Sequence, residues 1–314
     1  MASEFERISS LNAIFGAPPA AVSLGIGDDA AIIDLGALEP HAGHLVWTID
    51  ACVEGVHFRR EWLGWEDVGW RSLMAAASDL AAMAATPIGV LCAVALPDDV
   101  GDEALEAIAR GQAAAAASLS TAIVGGNLSR GSELSISTTL LGACGRAVPR
   151  TGAQPGDLLI LAGPVGLAAA GVRLLQQAVH HDEPDASAAV QAWRRPIARI
   201  ADGVRLGAIA TAQIDISDGL AQDASHIASA SRVRIDLDAD AIVGSELRAV
   251  CDRFGLDALQ LALSGGEDYA VLATAASVPE GAMVIGRCSA GEGVWVGGAT
   301  RVDQLGHDHF RGKP

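Results

Sequence analysis

The sequence predicts a layered α/β (α+β) fold divided into two domains, 1–149 and 150–314. Strand-like and helix-like patterns alternate along the chain, which is typical of layered α/β and α+β domains. At 314 residues the chain exceeds the usual size of one domain. A Pro- and Gly-containing segment at 150–157 precedes an apolar strand pattern at 158–162, and this segment marks the predicted boundary.

The first half alternates predicted helices with predicted strands. Residues 3–15 have helical spacing, with Phe5, Ile8, Leu11 and Ile14 on one face. A short apolar step at 122–124 then leads into Gly125 and Gly126. The other helices are predicted at 65–84 and at 102–119, which is rich in alanine, and the strands at 45–53, 89–96 and 134–142.

The second half also alternates predicted helices and strands. Its helices are predicted at 166–178, 198–210 and 220–231, and its strands at 158–162, 213–216, 233–237 and 269–273. The polar segment 180–188, which contains Pro184, is predicted to be a surface loop.

The charge of the chain disfavours two classes of partner. The formal net charge is -17 and the sequence pI is near 4.7. Nucleic acid and anionic membrane surfaces are bound through clustered Lys and Arg, so we expect small molecules and cations as partners instead. Many proteins carry a net negative surface for solubility, and therefore only clustered carboxylates count towards a metal site.

Cysteine usage and the N-terminus indicate a cytoplasmic protein. The five cysteines are widely spaced and contain no C-x-x-C, which fits neither a disulfide framework nor a zinc site. The first residues are acidic and lack the apolar core of a secretory signal. The longest apolar stretch, 73–85, contains Asp79 and is too short to span a bilayer.

Six short clusters carry the candidate chemistry. Carboxylates beside glycine and small hydroxyl residues suit hard divalent cations, and glycine lets the backbone approach phosphate oxygens closely. The sequence therefore predicts a magnesium-dependent enzyme that handles phosphate. The clusters lie at 25–29, 48–50, 78–79, 125–127, 215–219 and 264–269.

The acidic residues of the first half differ in what they indicate. The adjacent Asp28 and Asp29 can bridge cations, and they can equally form an Asx turn or a helix cap. Asp50 is predicted at the end of an apolar strand and Asp79 inside an apolar helix. A carboxylate is costly to bury without a compensating cation, so these two residues favour a metal over a structural role.

Two acidic loops are predicted in the second half. Asp215 and Asp218 lie around a strand end, and Gly219 opens a helix whose N-terminus would favour anions; an ordinary capped helix start is the alternative. Residues 264–268 resemble a backbone nest for an anion, followed by acidic groups for a cation or a substrate amine.

Two basic residues are candidates for substrate contacts. Arg150 is the most plausible cationic contact to phosphate near the predicted boundary, although a lone arginine is more often a surface residue. His57 follows Asp50 closely enough to project into the same cavity, with a hydrogen-bonded loop histidine as the alternative. The sequence contains neither G-x-x-x-x-G-K-[ST] nor the protein-kinase signature set.

The clusters and their neighbours, in this order and spacing, resemble the thiamine-monophosphate kinase family of the aminoimidazole-ribonucleotide-synthetase-like superfamily. The resemblance implies an N-terminal domain that binds ATP and magnesium and pairs in a homodimer, and a C-terminal domain that completes the nucleotide and substrate site. It also implies that ATP and several Mg²⁺ ions convert thiamine monophosphate to thiamine diphosphate. The motifs are GIGDDAA, the Asp50 strand leading to VEGVHF, SDLAAM, GGN, RTGAQPGD, IDISDGL and SGGEDY.

The resemblance also implies roles for individual residues. No general base is implied, and Asp50 and Asp79 act as the essential metal scaffold. The implied magnesium ligands are Asp28, Asp29, Thr48, Asp50, Asp79, Asn127, Asp215 and Asp218. The implied ATP contacts are Gly126, Asn127, Arg150 and Ser217, and the implied substrate contacts are His57, Glu267 and Phe310.

Three positions depart from the family pattern. Asn127 stands where the family usually has aspartate, and Ile49 where it has a hydroxyl residue. Gln304 occupies the place of an aromatic residue that covers the substrate, and Phe310 is the nearest ring. Two alternatives therefore stay open: a related kinase or synthetase acting on another phosphorylated small molecule, and a non-catalytic regulator that binds nucleotide and metal.

Overall fold

A four-stranded sheet and a seven-stranded sheet organise the computed structural model, which describes residues 4–26, 31–38, 43–179, 184–279 and 281–306. The chain divides into two units. The first comprises Met1–Leu80 and Ala85–Arg146, and the second comprises Ala81–Ala84 and Ala147–Pro314.

The first unit is built from three helices and six strands within the described residues. They are α1 (Glu4–Phe15), β1 (Val22–Leu24), β2 (Ile32–Ile33), β3 (His44–Val53), α2 (Trp65–Ala82), β4 (Thr86–Leu96), α3 (Asp102–Ser118), β5 (Ile123–Arg130) and β6 (Ser135–Cys144). The strand order of its larger sheet is β3-β6-β4-β5, in which only the β4–β5 pair is parallel.

This sheet has one packed face and one exposed face. Ile136 and Leu140 of β6 are fully buried, and Leu80 of α2 lies against Gly142 of the same strand. Trp47 and Ile49 of β3 are 76% and 69% exposed. Since successive strand residues point to opposite faces, Thr48 and Asp50 face the packed side.

The second unit surrounds the seven-stranded sheet. Its strand order is β13-β12-β9-β11-β7-β10-β8, in which only β9 and β12 pair in parallel. Its elements are β7 (Leu158–Ala162), α4 (Leu167–Gln176), α5 (Pro184–Arg194), α6 (Ile200–Gly207), β8 (Ala212–Asp215), α7 (Leu220–Ser231), β9 (Arg234–Leu237), α8 (Ala239–Ile242), α9 (Ser245–Phe254), α10 (Ala258–Ser264), β10 (Val271–Ala275), β11 (Met283–Ser289), β12 (Gly293–Val296) and β13 (Thr300–Arg301).

The predicted α/β fold class is confirmed. The sequence patterns do not predict β1, β2, α8–α10 or β11–β13, and one predicted segment is wrong. The predicted surface loop at 180–188 is wrong from residue 184 onwards, because helix α5 begins at Pro184. Proline suits the first position of a helix, where its missing N–H would have no intrahelical partner. Ala186 and Ala189 of this helix are fully buried, so small apolar residues stabilise it by packing.

No helix within the described residues has both the length and the apolar character needed to span a bilayer.

Candidate functional site

Two predicted magnesium ligands of the first unit are in direct contact. The hydroxyl of Thr48 on β3 donates a hydrogen bond to the Asp79 carboxylate on α2. Asp50 lies two residues after Thr48 and therefore faces the same side of the sheet. All three side chains are half-buried. The packed face of β3 thus directs two oxygen-bearing side chains to the side on which α2 packs, where Thr48 contacts Asp79.

Asp50 lies inside its strand. The prediction that it ends the strand is wrong, because β3 continues to Val53. One oxygen of the Asp50 carboxylate accepts the backbone N–H of Ala51 at 2.7 Å. Asp50 and Asp79 are also less buried than the sequence predicted, since both side chains are partly exposed to water. A half-buried carboxylate can bind a cation without the full cost of desolvation.

A cavity of about 550 Å³ lies on the exposed face of the same sheet. Its walls include Trp47, Ile49 and Leu91 from the strands. Ile26 and Ala31 also line it. The predicted ligands Asp28 and Asp29 lie outside the described residues, as does Phe310.

Asn127 is placed on the cavity side of the sheet. Gly125, Gly126 and Asn127 follow the short apolar step at 122–124 and lie within β5, and all three line the cavity. A Cβ atom on Gly126 would lie 2.0 Å from the Cys92 carbonyl oxygen, so only glycine fits there. The structure therefore places Asn127 on the face opposite to Thr48.

His57 is held by the end of its own strand. Its Nδ1 accepts the backbone N–H of Val53 at 3.1 Å, and its backbone N–H donates to the Val53 carbonyl at 2.9 Å. Since Nδ1 is the acceptor, the neutral imidazole carries its proton on Nε2. The histidine is therefore fixed in orientation, with Nε2–H as its donor.

Arg150 begins a loop that is pinned to the end of α7. The Ser231 hydroxyl accepts the N–H groups of Gly152 and Ala153, both at 3.1 Å, and donates to the Arg150 carbonyl at 3.2 Å. The Arg150 residue itself is exposed. Sequence reasoning missed Ser231, although a serine in the last turn of a predicted helix is a frequent partner of nearby backbone groups.

The two acidic loops of the second unit are joined by backbone hydrogen bonds. The backbone N–H of Tyr269 donates to the Ile216 carbonyl at 2.8 Å, and that of Glu267 donates to the Ser217 carbonyl at 2.7 Å. Asp215 is the last residue of β8 and is 4% exposed. The structure thus brings together the predicted ligand Asp215 and the loop of the predicted substrate contact Glu267.

The amides of the predicted anion nest have partners inside the chain. Gly265 N–H donates to the Leu261 carbonyl at 2.8 Å, and Glu267 N–H donates to Ser217. These two groups are therefore hydrogen-bonded within the fold, and the nest over 264–268 stays a prediction for the other amides.

Asp223 is a buried carboxylate that sequence reasoning missed. It lies in the first turns of α7 and is 2% exposed. Its pKa is raised to about 8, first by burial and then by the neighbouring charges of Asp215 and Asp218. The signal in the sequence was an acidic residue on the apolar stripe of a predicted helix, the same anomaly that singled out Asp79.

Glu267 is anchored to a buried tryptophan. The indole N–H of Trp193, which is 1% exposed, donates to Glu267 Oε2 at 2.7 Å. The backbone of Glu267 has φ 65° and that of Tyr269 has φ 50°, a region that non-glycine residues rarely adopt. Strained backbone of this kind persists where surrounding contacts impose it, and it is frequent at functional sites.

Asp268 caps a helix. Its two carboxylate oxygens accept the backbone N–H groups of Gly166 at 2.7 Å and Ala168 at 3.4 Å, at the start of α4. Withdrawal of the carboxylate from water raises its pKa to about 8, and the charge of Glu267 acts in the same direction.

Asp268→Asn is expected to change how stability depends on pH. The folded chain keeps a proton on Asp268 up to about pH 8, whereas the unfolded chain releases it near pH 4. The wild type should therefore lose free energy of unfolding relative to the variant as pH rises from 5 to 8, by up to about 1.4 kcal/mol per pH unit. Urea unfolding at both pH values measures this difference. Parallel pH profiles would show that Asp268 titrates normally.

The oxygen-rich residues fit magnesium only in combination with other ligands. Within the described ranges, no group of three or more His, Cys, Asp or Glu side chains is arranged to hold a metal ion by itself. Mg²⁺ prefers oxygen ligands and is commonly held by one or two carboxylates, with waters and substrate phosphates completing the shell. The Thr48–Asp79 contact and the proximity of Asp215 and Asp218 to Asp223 match such partial sites.

Comparison with known proteins identifies a family and related chains. The family described as AIR synthase related protein matches the chain with its N-terminal domain at residues 27–144 and its C-terminal domain at residues 154–297. Thiamine-monophosphate kinase of Aquifex aeolicus (strain VF5) is 35% identical over 290 residues, which cover 91% of this chain and 92% of the relative.

Two solved structures are also similar. One is AaThiL complexed with AMPPCP and TMP, at a TM-score of 0.81 and 36% identity, covering 85% of this chain and 87% of the other. The second is thiamine-monophosphate kinase from Stenotrophomonas maltophilia K279a, at a TM-score of 0.82 and 35% identity, covering 93% and 95%. Matching domains, similar folds and identities above 30% over most of each chain together show that this chain belongs to the thiamine-monophosphate kinase family of enzymes, within the AIR synthase related proteins.

Proposed function

We propose that the chain transfers the γ-phosphoryl group of ATP to thiamine monophosphate, giving thiamine diphosphate and ADP. The observation that carries this proposal is the likeness to AaThiL complexed with AMPPCP and TMP, at 36% identity over 85% of this chain. The oxygen-rich side chains of both units support it, because a reaction between two polyanions needs bound cations.

Magnesium is the cation that these residues suit. Thr48, Asp50 and Asp79 of the first unit are the proposed ligands with described geometry there, and Asp215 and Asp218 are those of the second. Asp28, Asp29 and Asn127 complete the proposed set. Bound Mg²⁺ would neutralise charge that develops on the transferring phosphoryl group.

The chain itself needs no general base in this reaction. A phosphate oxygen of thiamine monophosphate is already anionic near neutral pH, and it would attack the γ-phosphorus in line. A new P–O bond forms, the bond from the γ-phosphorus to the bridging oxygen breaks, and ADP leaves with the electron pair. The task of the protein is positioning and electrostatic stabilisation.

The remaining site residues are proposed as contacts to the two substrates. Gly126, Asn127, Arg150 and Ser217 would contact ATP. His57 would donate through Nε2–H to the substrate phosphate, in keeping with the hydrogen bond that already occupies Nδ1. The remaining proposed contacts, Glu267 and Phe310, would bind the thiamine part.

A phosphate-acceptor assay tests this function. The purified chain is mixed with ATP, Mg²⁺ and thiamine monophosphate, and thiamine diphosphate and ADP are measured by chromatography. We expect equal amounts of the two products, and none with thiamine, which lacks the attacking phosphate. Absence of thiamine diphosphate at saturating substrates would overturn the proposal, and product from another phosphate monoester alone would favour a related kinase.

We also propose that the chain forms a homodimer through the exposed face of the four-stranded sheet. Leu45, Trp47 and Ile49 of edge strand β3 expose 52%, 76% and 69% of their surface. The Trp47 indole donates to the Thr139 hydroxyl at 2.9 Å, which holds the ring against the sheet. An apolar face of this kind, next to a strand that forms the sheet edge within the described part of the chain, is favourable to cover with a second copy.

Trp47→Asp is expected to weaken the dimer, raising its dissociation constant by at least about 30-fold, because a central exposed aromatic residue is a typical hot spot. Light scattering coupled to size-exclusion chromatography measures the mass across a dilution series. Ile197→Asp is the control, since Ile197 is 54% exposed in the second unit and should leave the mass unchanged. A monomeric wild type would contradict the proposal.

A cytoplasmic location is supported by the five buried cysteine thiols, which suit a reducing compartment.

A further inference from the structure

We propose that Asp223 is a positioning residue that fixes the backbone of the acidic loop 215–219, so that Asp218 stays in place to bind magnesium. The proposal rests on the proposed magnesium-dependent function. Asp223 would touch neither substrate nor metal, and would act through the loop that carries the ligands.

One carboxylate oxygen gathers three consecutive backbone donors. Asp223 Oδ2 accepts the N–H groups of Ser217 at 3.0 Å, Asp218 at 3.1 Å and Gly219 at 3.2 Å. These groups lie just before helix α7, where the sequence predicted an environment suited to anions. The structure fills the space beside these three amides with a carboxyl group of the chain itself, so these donors are not the phosphate contact.

The other side of the loop is fixed separately. Ile216 and Ser217 accept backbone N–H groups from Tyr269 and Glu267 through their carbonyls. Asp215 precedes the loop and is paired in the sheet with Val271. The backbone of the loop is therefore tied through its carbonyls to the 267–269 segment and through its amides to Asp223.

Asp218 is the residue that depends most on this arrangement. Its side chain is partly exposed, and one of its oxygens accepts the Gln222 side-chain amide at 3.2 Å. Asp215 is held by its strand, whereas the backbone of Asp218 is held by Asp223. Loss of the Asp223 acceptor would leave three amides without this partner and release Asp218, while Asp215 would remain in place.

The buried position of Asp223 supports a local role of this kind. A buried carboxylate is costly to retain unless it accepts hydrogen bonds. The three backbone N–H groups that donate to Asp223 all belong to the ligand loop. Its removal should therefore act first on the metal site.

Two substitutions and a matched control test the inference. Asp223→Asn keeps the shape and one weaker acceptor, and Asp223→Ala removes the acceptor. Asp238→Ala is the control, because Asp238 in the same unit also accepts two backbone N–H groups, from Asp240 and Ala241, but at the start of α8. The readout is Mn²⁺ binding by electron paramagnetic resonance, in the presence of a non-hydrolysable ATP analogue and without acceptor.

We expect the Mn²⁺ dissociation constant to rise about 5-fold in Asp223→Asn and at least about 10-fold in Asp223→Ala, with no change in the control. In turnover assays, the Mg²⁺ concentration for half-maximal rate should rise in the same order, while KM for the acceptor stays unchanged. A purely structural residue would lower the melting temperature without this selective effect.

The outcomes separate the inference from the proposed function. Wild-type Mn²⁺ affinity in Asp223→Asn, with the wild type binding Mn²⁺ normally, would overturn the positioning role alone. Equal losses in the Asn and Ala variants would assign the effect to charge and would also overturn it. Failure of the wild type to bind Mn²⁺ with the nucleotide analogue would overturn the magnesium chemistry and this inference together.

Discussion

Asp50→Ala is expected to lower kcat/KM by at least about 1,000-fold and to leave the chain folded. Asp50 is half-buried on the packed face of β3, the face that also carries Thr48, whose hydroxyl contacts Asp79. Removing its carboxylate would remove one of few oxygen ligands available to a cation there. Steady-state kinetics at saturating Mg²⁺ measures the loss, and far-ultraviolet circular dichroism measures the fold.

Asp98→Ala provides the control for Asp50→Ala. Asp98 belongs to the same unit, its side chain is 91% exposed, and its ion-pair partner is Arg130. Exposed pairs of this kind contribute little to stability, so the control should retain wild-type activity. A folded Asp50→Ala enzyme with activity within about 3-fold of wild type would contradict the role of Asp50 in the metal scaffold.

Gly266→Ala is expected to separate the two acidic loops of the second unit. A Cβ atom at this position would lie 2.3 Å from the Ser217 carbonyl oxygen and 3.3 Å from the Asp218 Cα atom, so the loop backbones must move apart. We expect a loss of about 1–3 kcal/mol in the free energy of unfolding and a fall in kcat/KM of at least about 100-fold. Chemical unfolding and steady-state kinetics measure the two effects.

Gly244→Ala is the matched control for that substitution. A Cβ atom at Gly244 meets no other atom within 4 Å, and this residue lies in the same unit at the start of α9. The control should change both quantities little. Wild-type kinetics in Gly266→Ala would show that contact between the two loops is not needed for activity.

Regular elements with a strong apolar pattern could be predicted from the sequence. Helix α7 begins and ends at the predicted residues, and strand β7 also has its predicted bounds. Helix α5 was missed because its sequence is polar and begins with Pro184. Its stability comes from burial of Ala186, Ala189, Val190 and Trp193, which is a tertiary effect that a local pattern does not contain.

The candidate site could be predicted as residue types but less well as geometry. The carboxylates Asp50 and Asp79 stood out as charges among apolar residues, and Asp215 as an acidic residue at a strand end. The sequence did not reveal that Asn127 lies on the opposite face of the sheet from Thr48, because register and strand ends depend on pairing with distant strands. Nor did it reveal that Asp223 would accept hydrogen bonds from the three backbone N–H groups before α7, since these contacts depend on the fold of the loop.

Counting bound metal ions tests the central claim most directly. Within the described residues, the protein offers partial oxygen sites without a complete metal site. The account therefore predicts that Mn²⁺ binds weakly to the chain alone, that a non-hydrolysable ATP analogue raises the number of tightly bound ions above one per chain, and that Asp79→Ala lowers this number. An ion count that is the same with and without the analogue, and the same in the Asp79→Ala variant, would contradict it.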